Sequence, residues 1–265
     1  MRTVGNAVEG SLQRQLGAVQ PHEAFVKVPE ITIAFWVIKI LTTGMGETTS
    51  DFFVRSFDPP PVVAAAGVLL AISLGAQILS RRYSTWLYWL TVVLVSIFGT
   101  MVADVLHILV GIPYLASTIG FGVALAVILL LWNGNEGTLS IHSISTRRRE
   151  TFYWATVLAT FALGTAAGDL AASSFGLGYL LSGVAFSVVF ALPFVLRQGG
   201  RLGEVASFWT AYIVTRPLGA SFADWMGVSR DRGGLNWGTG WVSLVIAIVV
   251  VLTIGWSQRS TKERR

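Results

Sequence analysis

Asp51, Asp104, Asp169 and Asp224 lie fifteen residues after Trp36, Trp89, Trp154 and Trp209, and each Trp follows an aromatic residue, Phe35, Tyr88, Tyr153 or Phe208. Ten residues after each Trp is a glycine (Gly46, Gly99, Gly164, Gly219), and a small residue precedes each Asp (Ser50, Ala103, Gly168, Ala223). The chain has only 14 acidic residues, so four gap-free matches identify an internal repeat. A carboxylate inside an apolar segment is costly without water or a partner. It therefore faces the protein interior and marks a path for ions or protons. The plainer alternative for each copy is a cap on its helix end or on the turn that follows.

Residues that break the repeat sharpen this reading. Lys39 and Glu47 have charged counterparts in no other copy, and neither does Arg216 of the fourth. Thr43, Glu47 and Asp51 are spaced by four residues, which puts three oxygen-bearing side chains on one helix face. Arg216 is two turns before Asp224 and turned away from it, so its expected partner is an acid on a neighbouring helix. Lys39 and Arg216 are the expected charge partners of the buried acids. Five acids (Glu47, Asp51, Asp104, Asp169, Asp224) against two bases leave a charge of −3 when all are ionised, an attractor for cations.

The five acids with Thr43 are the expected ion-binding or proton-relay residues. Oxygen-only ligands suit hard ions, so Glu47, Asp51 and Asp224 are the expected metal ligands, with Mn²⁺ or Mg²⁺ as candidate cargo. With no Cys and three His, of which only His107 is near an apolar segment, thiolate, zinc and haem chemistry are excluded and no cofactor is expected. Motifs for hydrolase or phosphate-loop chemistry are missing, and an enzyme is not expected.

The elements that position these residues are membrane helices. Of 265 residues 53% are hydrophobic and 12% charged, against a charged fraction of about 25% in soluble domains. The runs 61–79, 112–132, 177–196 and 237–256 contain no charge and match the roughly 20 residues a span requires. The fold class expected is all-α and polytopic, with eight transmembrane helices as four parallel two-helix repeats. Helices are expected at 31–54, 61–79, 85–109, 112–132, 152–173, 177–196, 206–226 and 236–256. A segment 1–29 precedes one transmembrane domain, 30–256, with repeats near 30–80, 84–133, 149–197 and 203–256. A basic tail, 257–265, follows.

Fourteen Lys and Arg fall on the side shared by the termini and the loops 80–84, 133–151 and 197–205. Three, Arg55, Arg230 and Arg232, fall on the other. That bias puts both termini in the cytoplasm. The net charge of +5 is thus topological; a nucleic-acid partner is not expected, and Arg147–Arg149 face anionic lipid. The aromatic-Trp pairs are expected to anchor at the membrane interface. The glycines are expected to pack helices in the inner repeats. In the outer repeats, at Gly44-x-Gly46 and Pro217-Leu218-Gly219, they are expected to break them.

The four Trp units, with Gly46-Glu47-Thr48-Thr49-Ser50-Asp51 and Arg216-Pro217-Leu218-Gly219-Ala220, resemble a family of bacterial integral membrane proteins. That family is built from four tandem repeats of unknown function, each with two membrane helices and a characteristic Trp. The resemblance covers about 31–256 and implies a bacterial inner-membrane location. The function expected from the residues is transport of a cation, possible partners being the lipid bilayer and that cation. The alternatives are a pseudo-fourfold cation channel and a non-transporting scaffold or sensor.

Overall fold

The computed structural model describes residues 26–80, 82–108 and 110–263. Most of the expected N-terminal segment, with Arg2 and Arg14, lies outside the described residues, as do Arg81, Arg264 and Arg265. Among the described residues the chain is all-α, with eight long helices and no strand. These are α1 (Ile33–Ser56), α2 (Pro59–Leu79), α3 (Thr85–Ile108), α4 (Tyr114–Glu136), α5 (Arg147–Asp169), α6 (Gly178–Gln198), α7 (Glu204–Gly227) and α8 (Thr239–Glu263). A π-turn, Leu170–Ser174, prolongs α5, and 3₁₀ turns at Ile141–Ser143 and Arg230–Arg232 sit in the loops before α5 and α8.

Local chemistry sets the helix ends. The Thr32 hydroxyl accepts from the Phe35 N–H at 3.3 Å, and prolines open α2, where their missing N–H costs nothing. The Thr146 hydroxyl accepts from the Arg149 N–H at 3.2 Å, so α5 starts five residues before the expected Phe152. Asn236 and Gly238 have positive φ, 63° and 84°, which delays α8 to Thr239. At its far end α8 runs on to Glu263, so the stretch expected as a tail is largely helical.

Each odd-numbered helix packs on the next (α1 on α3, α3 on α5, α5 on α7, α7 on α1), which closes a ring of four inner helices. Each even-numbered helix packs on the inner helix of the following repeat: α2 on α3, α4 on α5, α6 on α7 and α8 back on α1. The outer layer is apolar and uncovered. In α2, α4, α6 and α8 the most hydrophobic stretch is only 17–22% buried, against 56% in α3 and 67% in α5. Leu130, Val188 and Leu252 are among the side chains left bare. Six helices, α2 to α6 and α8, are long and apolar enough to cross a membrane, which is the profile of a membrane protein. The other two, α1 and α7, are each 24 residues long but carry charges that the ring buries, Lys39 and Glu47 in α1 and Arg216 and Asp224 in α7.

Candidate functional site

The site is built in layers along the ring, starting from its Trp end. The Phe35 ring meets Trp89 at 5.6 Å between centroids, Tyr88 meets Trp154 at 5.6 Å, Tyr153 meets Trp209 at 6.2 Å, and Phe208 meets Trp36 at 5.7 Å. Each repeat thus passes its aromatic to the Trp of the next, and the fourth returns to the first. The tryptophans were expected at the membrane interface. Instead Trp89, Trp154 and Trp209 are buried, Trp36 is partly so, and all four close this end of the ring. An aromatic pair gains beyond simple burial from edge and face contacts, and a cyclic set gains it four times.

One layer inward the repeat glycines do equivalent work. A Cβ on Gly46 would strike Ser96, on Gly99 it would lie 3.0 Å from Phe161 Cβ, on Gly164 it would strike Arg216, and on Gly219 it would strike Thr43. Every glycine therefore seats a residue seven positions after the Trp of the following repeat. Equal offsets at every contact mean that the four inner helices run in the same direction. All four glycines are packing positions. The expected helix breaks at Gly46 and Gly219 do not occur, and α7 runs through Pro217.

The polar centre belongs to Arg216, 1% exposed. Its guanidinium donates to Glu47 Oε2 at 2.5 Å, to the Thr165 hydroxyl at 2.8 Å, to the Thr43 carbonyl at 3.2 Å and to the Thr100 hydroxyl. Glu47, Thr100 and Thr165 all stand eleven residues after a Trp; the fourth equivalent is Ala220. A guanidinium from one repeat is thus held by one layer of the other three. Its planar fork suits several acceptors at once. The expected pairing of Arg216 with an acid on a neighbouring helix is present. Thr43 contributes its carbonyl to Arg216, while its hydroxyl is within reach of the Thr215 and Ile40 carbonyls at 3.0 and 2.6 Å.

Lys39, 1% exposed, sits elsewhere than expected. Its ammonium lies 4.0 Å from the Phe161 ring centroid and 4.2 Å from that of Tyr212. Among the described residues no carboxylate pairs with it, so it is not a charge partner of the acids but a cation held by π faces.

The aspartates occupy the layer beyond Glu47. Asp224 is buried, Asp104 and Asp169 are partly so, and among the described residues no hydrogen bond or ion pair reaches any of the three. Asp51 pairs with Arg55 at 2.9 Å. Among the described residues none caps a helix through its side chain, against the plainer expectation. Glu47 lies within electrostatic range of all four. Glu47, Asp169 and Asp224 line one crevice with Thr165, Ser221 and Tyr179, which is too narrow to admit a water molecule.

The expected metal site of Glu47, Asp51 and Asp224 is not assembled. Among the described residues no three His, Cys, Asp or Glu are grouped closely enough to hold an ion. Arg216 takes Glu47 and Arg55 takes Asp51, so those oxygens already have cationic partners.

Thr100 and Thr165 were missed in the sequence, although their shared offset with Glu47 was there to be found. A second missed group has no such signal. Lys27 donates to Glu150 at 2.6 Å and to the Ile78 carbonyl at 3.2 Å, and Gln77 donates to Glu150 at 3.2 Å, all buried beside the start of α5. Next to it Arg148 and Arg149 pair with Glu136 on α4 at 3.2 and 2.8 Å, a protein partner where lipid was expected.

No curated protein and no solved structure matches the chain. The model of a repeat of unknown function, DUF347, matches it four times in tandem, at residues 34–83, 87–138, 152–198 and 207–263. Each match holds one inner helix with its Trp, Gly and Asp and the outer helix that follows, so the periodic ring and the family repeat are one unit, and the chain belongs to the DUF347 repeat family.

Proposed function

We propose that this chain crosses a bacterial inner membrane eight times, with both termini in the cytoplasm, and transports a cation along the axis of its inner ring. The observation that carries the reading is the Arg216 guanidinium. A cation already built into the protein is bound on the axis by Glu47, Thr100 and Thr165, beside Asp104, Asp169 and Asp224, which among the described residues have no hydrogen bond or ion pair. A site that holds a tethered cation has the chemistry to hold a mobile one. Arg216 and an incoming cation compete for Glu47, and such competition couples occupancy to conformation.

Burial of α1 and α7 supports eight crossings: at 24 residues each spans about 36 Å, and its charges face protein rather than lipid. The uneven distribution of basic loops supports the orientation. Transport by alternating states is favoured over an open channel because an ion pair lies across the axis and aromatic rings close its Trp end.

Purified protein in liposomes provides the test, with flux of protons, Na⁺, Mg²⁺ and Mn²⁺ followed in wild type, Asp104→Asn, Asp169→Asn and Asp224→Asn. The expected result is wild-type flux of at least one cation and its loss on neutralisation of Asp169 or Asp224. Thermal stability should hold in all three variants, since among the described residues none of these acids is in an ion pair. Wild-type liposomes that pass none of these cations would sink the transport reading.

A further inference from the structure

We propose that the species crossing the Trp end of the ring is a proton, relayed by the hydroxyls of Tyr88, Tyr153 and Tyr212 and by Lys39. This rests on the transport reading and narrows its cargo at this end to protons.

The closed aromatic cycle is the first support. All its members but the partly buried Trp36 are buried to the level of a protein core, and a metal ion with its water shell needs the inter-repeat contacts to part. A proton needs only a chain of hydroxyls. The cycle contains them: Tyr88 and Tyr153, 0% and 1% exposed, face each other with hydroxyl oxygens 2.5 Å apart. Packing does not require these groups, because the equivalent positions in the outer repeats are Phe35 and Phe208. A buried hydroxyl is costly unless paired, so two of them inside an aromatic seal call for a reason other than shape.

Tyr212 extends the line. It is one turn along α7 from Phe208 and fully buried, and among the described residues its hydroxyl has no hydrogen bond of ordinary geometry, although it is close enough to those of Tyr88 and Tyr153 to interact with both. Lys39 covers the Tyr212 ring at 4.2 Å, and its equivalents in the middle repeats are Val92 and Val157. Beyond Lys39 stands Arg216 with Glu47, and beyond them the aspartates. Each tyrosine accepts a proton on its oxygen and releases its own to the next group, ending neutral. Lys39 takes the proton as ammonium and returns to amine when a side-chain movement passes it to the Glu47 carboxylate, which hands it on to Asp169 or Asp224, so one positive charge crosses per proton.

The test uses full-length protein in liposomes with an internal pH-sensitive dye and a potassium-valinomycin potential, alongside Na⁺ and Mn²⁺ flux. Variants are Tyr88→Phe, Tyr153→Phe, Tyr212→Phe and Lys39→Met. The wild type should acidify the lumen, and each Tyr→Phe should slow this about tenfold or more, beyond what any accompanying fall in folded protein accounts for. Lys39→Met should abolish it, with stability unchanged or raised because a buried cation without a carboxylate partner is gone.

Proton flux that is unaltered in all four variants overturns the relay. So does flux loss that merely tracks loss of folded protein. Wild type that carries Na⁺ or Mn²⁺ without moving protons overturns the relay and leaves the transport reading standing. Wild type that carries no cation removes both.

Discussion

Arg216 and Glu47 illustrate how one side chain organises its surroundings. Both are buried; three other repeats lend oxygens to the two terminal nitrogens of the guanidinium, and among the described residues only its Nε has no partner. Removal of one partner leaves a desolvated charge, a loss of about 3–5 kcal/mol. Arg216→Ala and Glu47→Gln should therefore each lower the melting temperature of the purified protein. Glu47→Gln combined with Arg216→Met should recover part of that loss, because neither charge is then stranded. Strictly additive losses in this cycle would show that the two are not coupled. Arg216→Lys should not substitute, since an ammonium lacks the fork that reaches Glu47 and two threonines together.

At the scale of elements, the inner helices approach where glycine removes a side chain, and the four approaches are not equally tight. On Gly219 a Cβ would come within 2.6 Å of the Ile40 carbonyl, a backbone atom that cannot turn aside. On Gly99 its nearest neighbour is the Phe161 Cβ at 3.0 Å. Gly219→Ala should thus cost more than Gly99→Ala, with overpacking losses of about 1–3 kcal/mol as the scale, read as melting temperatures in one detergent. Equal losses would mean that the ring relaxes as a whole. Helix positions were legible in advance because apolar run length is a local property. The ends shifted where caps decide, as at Thr146, or where a left-handed residue intervenes, as at Asn236.

The whole molecule is a closed ring: α7 packs on α1 to complete its inner layer, and α8 packs back on α1 to complete the outer one. Helix α8 holds none of the five acids, yet removal of residues 239–263 should expose one side of α1 and abolish the monodisperse protein in gel filtration. A truncated chain that stays folded and monodisperse would mean the inner ring does not depend on its outer layer at this position. Sidedness has its own test. In this Cys-free chain, single cysteines at Ser145 and Ser229 should react with an impermeant maleimide from opposite faces of the membrane. Labelling of both from the same face would reject the even number of crossings per repeat.

The sequence alone determined the fourfold repeat, the all-α class and the outer apolar helices, because spacing and composition are written along the chain. It also pointed to Arg216 as the partner of an acid on another helix, since no acid of its own helix faced it. Tertiary structure alone decided which acid, and that Thr100 and Thr165 join it. It turned the tryptophans inward, gave Lys39 two rings instead of a carboxylate, and drew Asp51 to Arg55. These outcomes depend on the register and rotation of one helix against another. A helix with polar and small residues on several faces does not announce which face its neighbour will take. In this ring the choice came from glycine, whose missing side chain lets each repeat seat a residue of the next.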